Sequence, residues 1–145
     1  DLPEILILAQ YYLMLSFPEK KFLLYGENNY KLLTFDLFRM YDFILLPNFE
    51  LPKLIDNSIN VLLNTYSLSE MDKETVAAYF KIINRVVTQY FYSENSNKAV
   101  SKFDVHIEIP VEDFPINLQR FERVYQKKAV WLGVDRYLEE LYKIR

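Results

Sequence analysis

The sequence predicts an α/β fold with a largely parallel sheet and flanking helices. Short, continuous apolar runs such as Lys21-Phe22-Leu23-Leu24-Tyr25, Phe43-Ile44-Leu45-Leu46 and Ile59-Asn60-Val61-Leu62-Leu63 are the pattern of strands covered on both faces. Segments of helical periodicity alternate with them, as a crossover topology requires. Four run ends carry an asparagine: Gly26-Glu27-Asn28, Pro47-Asn48, Asn64-Thr65-Tyr66 and Ser93-Glu94-Asn95. They fall at the carboxyl edge, where open α/β sheets bind ligands. A wet turn accounts for any one of them; the four together mark a candidate ligand edge.

The elements follow in order. Pro3 and Glu4 are helix-start signals, and apolar residues from Leu6 to Leu15 cover most of a helix surface until Pro18. The first strand closes at Gly26. Residues from about Tyr30 to Tyr41 read as a second helix, and Phe43–Leu46 as a strand ended by Pro47-Asn48. A loop then leads to the third strand, Ile59–Leu63. Ser67-Leu68-Ser69-Glu70 matches a capping box, and Ser69 with Asp72 repeats the arrangement two residues on. Met71, Thr75, Ala78, Tyr79, Ile82, Ile83 and Val86 recur at helical steps behind it. A fourth strand spans Thr88–Tyr92, and polar residues 93–102 read as a loop. Val105, Ile107 and Ile109 alternate with His106 and Glu108 as on a half-exposed strand. Residues 121–131 form another extended stretch, and Val134 to Ile144 read as a terminal helix. With no repeat or linker, residues 1–145 are expected to form a single domain.

Composition narrows the function. The chain has 145 residues, 17 basic and 20 acidic side chains and a net charge of −3, which argues against a broad nucleic-acid footprint. The absence of cysteine excludes a disulfide framework, a thiol nucleophile and thiolate zinc sites. One histidine excludes the multi-histidine metal sites and leaves carboxylates as the ligands open to magnesium or calcium; no metal is expected. Only two glycines are present, so the glycine-rich phosphate loops are missing from these residues. No apolar run is long enough for a membrane span, and Asp1 and Glu4 stand where a signal peptide carries basic residues. A cytoplasmic location is the default expectation.

Three segments carry a resemblance. Asp1-Leu2-Pro3-Glu4, Asn64-Thr65-Tyr66-Ser67-Leu68-Ser69-Glu70-Met71 and Tyr90-Phe91-Tyr92-Ser93-Glu94-Asn95, in this order and spacing, resemble segments of bacterial sugar O-methyltransferases, which are class I S-adenosylmethionine-dependent methyltransferases with a Rossmann-like fold. The resemblance implies an acid ending the second strand, a closing antiparallel strand pair, and S-adenosylmethionine as cofactor. It implies a sugar or similar hydroxylated small molecule as acceptor. That family's first strand and glycine-rich loop precede the acid that Asp1 matches. The expectation is therefore a C-terminal part that binds cofactor weakly alone, with an unpaired edge that favours a homo-oligomer.

Methyl transfer to a hydroxyl is an in-line displacement that needs alignment and often a base. The resemblance assigns Asp1 to the cofactor ribose, Asn48 to the adenine edge, and Asn64 and Thr65 to the methionine end. Glu70 is read either as a base reaching the cleft or as the capping-box partner of Ser67. Glu94 and Asn95 are expected on the acceptor side, holding sugar hydroxyls. His106 is the one side chain with an ordinary pKa near neutrality, and is read either as a base or as a surface partner of Glu108. The alternative to an enzyme is a non-catalytic α/β protein-interaction module.

Overall fold

A computed structural model describes residues 2–98, 101–102, 106–130 and 136–145, with backbone alone for 101, 102, 106 and 107. Asp1 and Val105 lie outside the described residues. The architecture is mixed α/β, with both parallel and antiparallel strands. The chain divides into two compact units, residues 1–58 and 59–145.

In the first unit, α1 (Pro3–Ser16) starts at Pro3 with Glu4 in its first turn. The proline lacks the N–H that a first turn leaves unbonded, and the acid meets the positive end of the helix. Leu6 is the buried residue of this helix, so its apolar surface is largely exposed. Strands β1 (Phe22–Leu24) and β2 (Phe43–Leu45) pair in parallel, with Leu23 opposite Ile44. The Phe22 and Phe43 rings stack at 4.9 Å across this pair. Between them lies α2 (Phe35–Met40), much shorter than the expected helix from Tyr30 to Tyr41. Leu33 is engaged in a bridge with Leu54, and Thr34 then caps the helix by accepting from the Leu37 N–H at 3.4 Å. Leu23, Leu33, Leu37 and Leu54 form the apolar centre of this unit.

The second unit is built on a four-stranded sheet in the order β3-β4-β8-β7. Strands β3 (Ile59–Thr65) and β4 (Val87–Ser96) are parallel, joined by α3 (Lys73–Val86). The pair β5 (Ser101–Lys102) and β6 (His106–Ile107) is a separate antiparallel ladder. Strand β7 (Phe121–Lys128) and strand β8 (Tyr137–Ile144) complete the main sheet, β8 inserted antiparallel between β4 and β7. The terminal segment is thus a strand and not the expected helix. Its Leu138, Leu141 and Tyr142 satisfy a helical spacing, but ladders on both sides of β8 supply its backbone partners.

Helix α3 buries Val76, Phe80, Ile83 and Val86. Ile83 and Val86 belong to the stripe read from the sequence, while Val76 and Phe80 are buried in place of Ala78 and Tyr79. Its cap is Asp72, whose Oδ1 accepts from the Thr75 N–H at 2.8 Å. The expected box over Ser67 and Glu70 instead forms a 3-10 turn, Leu68–Glu70, with no side-chain cap. Phe80 meets Phe91 edge-on at 5.8 Å, and Phe91 also contacts the rings of Phe121 and Tyr142. Burying one ring of this size stabilises the fold by about 2–3 kcal/mol.

Residues 93–96 belong to β4 and not to a loop. Extending the strand fixes the direction of each residue by alternation. Phe91, Ser93 and Asn95 share the face of the sheet that α3 covers, with Leu62 and Asn64 beside them in register. Tyr90, Tyr92 and Glu94 point to the opposite face with Val61, Leu63 and Thr65.

Candidate functional site

Two polar clusters stand at the carboxyl ends of β3 and β4, one on each face of the sheet. The first is buried under the Leu68–Glu70 turn. Asn95 is wholly buried; its Nδ2 donates to Asn64 Oδ1 and to Ser93 Oγ, both at 2.9 Å. Its Oδ1 accepts from the Ser69 N–H at 3.2 Å and from Ser69 Oγ at 3.1 Å. Ser69 Oγ in turn accepts from the Ser96 N–H at 2.8 Å. Asn64 Nδ2 donates to Ser67 Oγ at 2.6 Å. This network pins the turn after β3 to the end of β4.

The second cluster lies on the opposite face. The Tyr66 hydroxyl donates to Glu94 Oε1 at 2.7 Å and the Tyr92 hydroxyl to Oε2 at 3.0 Å. The Tyr66 backbone N–H donates to the Glu94 carbonyl at 2.7 Å. Tyr66 holds a φ of +64°, a left-handed conformation that costs a non-glycine residue roughly 1–2 kcal/mol. The bond to Glu94 raises the Tyr66 phenol from 10.0 to about 12, with burial adding to the shift. Burial first, then the bond to Glu94, pushes the Tyr92 phenol up as well. In both, the bond to Glu94 acts in the same direction, since a phenol facing a carboxylate keeps its proton.

Glu139 on β8 stands opposite Glu94 in register. It accepts from the Tyr125 hydroxyl at 2.7 Å and pairs with Lys127 at 3.3 Å. Farther along, Glu108 is buried and ion-paired with Arg136. The sequence reading put Glu108 on a solvent-facing strand beside His106. The hydrogen bond to Glu108 holds the Arg136 guanidinium above its ordinary value against opposing burial, and Glu70 adds to it through its charge.

The residues expected to form one site are therefore distributed. Asn64 and Thr65 are neighbours in sequence but face opposite sides of the sheet, and so are Glu94 and Asn95. Glu70 is exposed at the end of its turn. His106 has a described backbone, paired with Lys102, and its side chain lies outside the described part, as does all of Asp1. Asn48 belongs to the first unit, half-buried at the start of the 3-10 segment Asn48–Lys53. An open cavity of about 290 Å³ lies at the carboxyl end of β1, lined by Leu23, Tyr25, Asn28, Tyr30, Glu50 and Lys53 among others.

Sequence reasoning missed Tyr66, Ser69 and Glu139 as site residues, and it read Tyr92 as a ring that could stack on a sugar or pack in the core without pairing it with Glu94. The signal for Tyr92 was present: in Tyr-Phe-Tyr-Ser-Glu-Asn, positions 92 and 94 share a face once the strand continues through residue 96.

These features define the molecule's class as a mixed α/β protein with a parallel core pair closed by antiparallel strands. Among solved structures, the crystal structure of the PH0226 protein from Pyrococcus horikoshii OT3 is similar, with a TM-score of 0.53 and 13% sequence identity over 94% of this chain and 88% of that chain. At that identity the likeness is one of fold. No protein-family model and no curated protein matches the chain. Among the described residues, no helix is long and apolar enough to cross a membrane.

Proposed function

We propose that these residues serve an S-adenosylmethionine-dependent O-methyltransferase of Rossmann-like fold that acts on a sugar or similar hydroxylated small molecule. The observation that carries this reading is the pair of polar clusters at the carboxyl ends of the parallel strands β3 and β4, the edge that α/β folds use for ligands. The antiparallel insertion of β8 between β4 and β7 supports it, since the resemblance implies a closing strand pair of that kind.

The residues offer chemistry that suits the cofactor. The cavity in the first unit brings apolar walls together with the amide groups of Asn28 and Asn29, the combination a nucleoside base needs. In the first unit, Asn48 and Asp1 are the candidates for the adenine edge and the ribose; in the second, Thr65 is the candidate for the amino-acid end, and Asn64 acts through its buried network. When bound, S-adenosylmethionine supplies the electrophilic methyl group. Alignment is then the work of the protein: the buried Asn64–Asn95–Ser69 network fixes the end of β3 against the end of β4. On the other face, Glu94 orients an acceptor hydroxyl. Glu70, exposed beside Arg136, and His106 are the candidates for taking its proton.

The test is calorimetric titration of the full gene product containing these residues with S-adenosylhomocysteine. Binding that weakens roughly tenfold in Asp1→Ala or Thr65→Ala supports the assignment; absence of binding by the unmutated protein overturns it.

One observation favours the alternative of an interaction module. Leu8, Tyr11 and Tyr12 on α1 are each 69% exposed, and contiguous apolar surface of this kind marks contact sites. Self-association without cofactor binding is the outcome that selects it.

A further inference from the structure

We propose that the sheet face around Glu94 binds a vicinal diol, with both hydroxyls donating to the Glu94 carboxylate and with Tyr66 and Tyr92 as positioning residues. This rests on the methyltransferase reading, whose acceptor it narrows from any hydroxylated molecule to one carrying adjacent hydroxyls.

The first observation is the geometry of the carboxylate. Tyr66 grips Oε1 at 2.7 Å and Tyr92 grips Oε2 at 3.0 Å. A carboxylate held by one donor on each oxygen cannot rotate without breaking a bond. Each of its oxygens accepts two hydrogen bonds, so each has capacity for one more donor, and the two remaining directions are fixed in space. A ligand that fills both must offer two donors side by side. Adjacent hydroxyls on a sugar ring do so; a single alcohol does not.

Two further features are hard to explain as structure alone. Glu139 sits directly opposite Glu94 across β4 and β8, and like charges in that position destabilise a sheet. Lys127 and Tyr125 meet Glu139, while the groups on Glu94 are neutral phenols. Tyr66, moreover, keeps a left-handed backbone, a strain that concentrates at binding sites. That conformation places the Tyr66 ring edge-on to Tyr137 at 4.8 Å, with the hydroxyl on Glu94. Tyr66 and Tyr92 thus add aromatic walls beside the carboxylate, and ring faces beside a polar group are how proteins receive the C–H faces and hydroxyls of sugars.

The experiment is an amide-resolved NMR titration of the full chain with the methyl pyranosides of mannose and galactose and the methyl furanoside of ribose, each against a counterpart without adjacent hydroxyls: the 3-deoxy hexosides and the 2-deoxyriboside. Saturable shifts at Thr65, Tyr66 and Glu94 are expected with at least one diol. Its diol-lacking counterpart should bind roughly tenfold more weakly. Glu94→Gln should abolish the response, and Tyr66→Phe or Tyr92→Phe should weaken it several-fold in a chain whose spectrum stays folded. Equal response to diol and diol-lacking glycosides, or no response to any, overturns the proposal. A response to calcium chloride alone also overturns it and makes the facing carboxylates a cation site. No cofactor is present in this titration. Glycoside binding by a protein that fails to bind S-adenosylhomocysteine leaves the diol site standing and removes the methyltransferase reading; the reverse result removes the diol site alone.

Discussion

Asn95 Nδ2 donates to Asn64 Oδ1 at 2.9 Å, joining the ends of two parallel strands through side chains 31 positions apart in sequence. The bond is part of a buried set in which Asn95 also serves Ser69 and Ser93. Removing Asn95 leaves several of these groups without partners away from water. Asn95→Ala is expected to cost about 3 kcal/mol, read as a lower urea midpoint at unchanged slope. A loss under about 1 kcal/mol would mean that water replaces the amide and the network is not sealed.

Tyr66 gives the chain a signature in alkali. Its phenol is held up from 10.0 to about 12, first by the bond to Glu94, so the folded state binds a proton that the unfolded state releases earlier. The stability from this bond is fully present below pH 10 and is lost as the pH rises through about 12. Melting temperature should fall more steeply over that window in the unmutated chain than in Tyr66→Phe. Parallel curves would show that the phenol and carboxylate are not coupled.

Asp72 is the residue that starts α3. Its carboxylate accepts from both the N–H and the hydroxyl of Thr75, and the backbone bond lowers its pKa below 3.8. A depressed carboxyl stabilises above its unfolded value and loses that contribution as the pH drops through its folded value. Asp72→Ala should therefore melt at a lower temperature than the unmutated chain at neutral pH, with the gap narrowing below about pH 3.8. Glu70→Gln, at the position the sequence assigned to a capping box, should move the melt less. The opposite ranking would restore that box.

Helix α1 carries exposed leucine and tyrosine along most of its length. Light scattering at high micromolar concentration should report a mass above that of one chain. The double substitution Leu8→Glu and Tyr12→Glu should lower it by removing apolar area from the contact. A single-chain mass for the unmutated protein would end the oligomer expectation.

Much of the strand content was legible because β1, β2 and β3 are apolar runs bounded by turn residues, and local pattern decides such cases. The existence of α3 was legible from its periodicity, as were Ile83 and Val86 on its inward face, but Val76 and Phe80 were not. Phe80 faces the core because the sheet residue Phe91 receives its ring, and no spacing within the helix specifies that partner. The segment from Tyr137 to Ile144 was misread for a related reason. Its apolar spacing serves helix and strand alike, and the two adjoining ladders exist only once β4 and β7 are in place.

The same division holds for the site. Sequence alone marked the polar residues near the carboxyl ends of the strands, namely Asn48, Asn64, Thr65, Glu94 and Asn95, because asparagine and acid side chains cluster where apolar runs stop, though β4 runs on through Glu94 and Asn95. Tertiary structure decided which of them act together. Alternation along an extended strand sends Asn64 and Asn95 beneath α3 and Thr65 and Glu94 to the other face, and the register between β3 and β4 then brings Tyr66 onto Glu94. Facing direction depends on how far a strand runs, and partnership depends on register. Both are set by hydrogen bonds between distant segments, which the order of residues along one segment does not record.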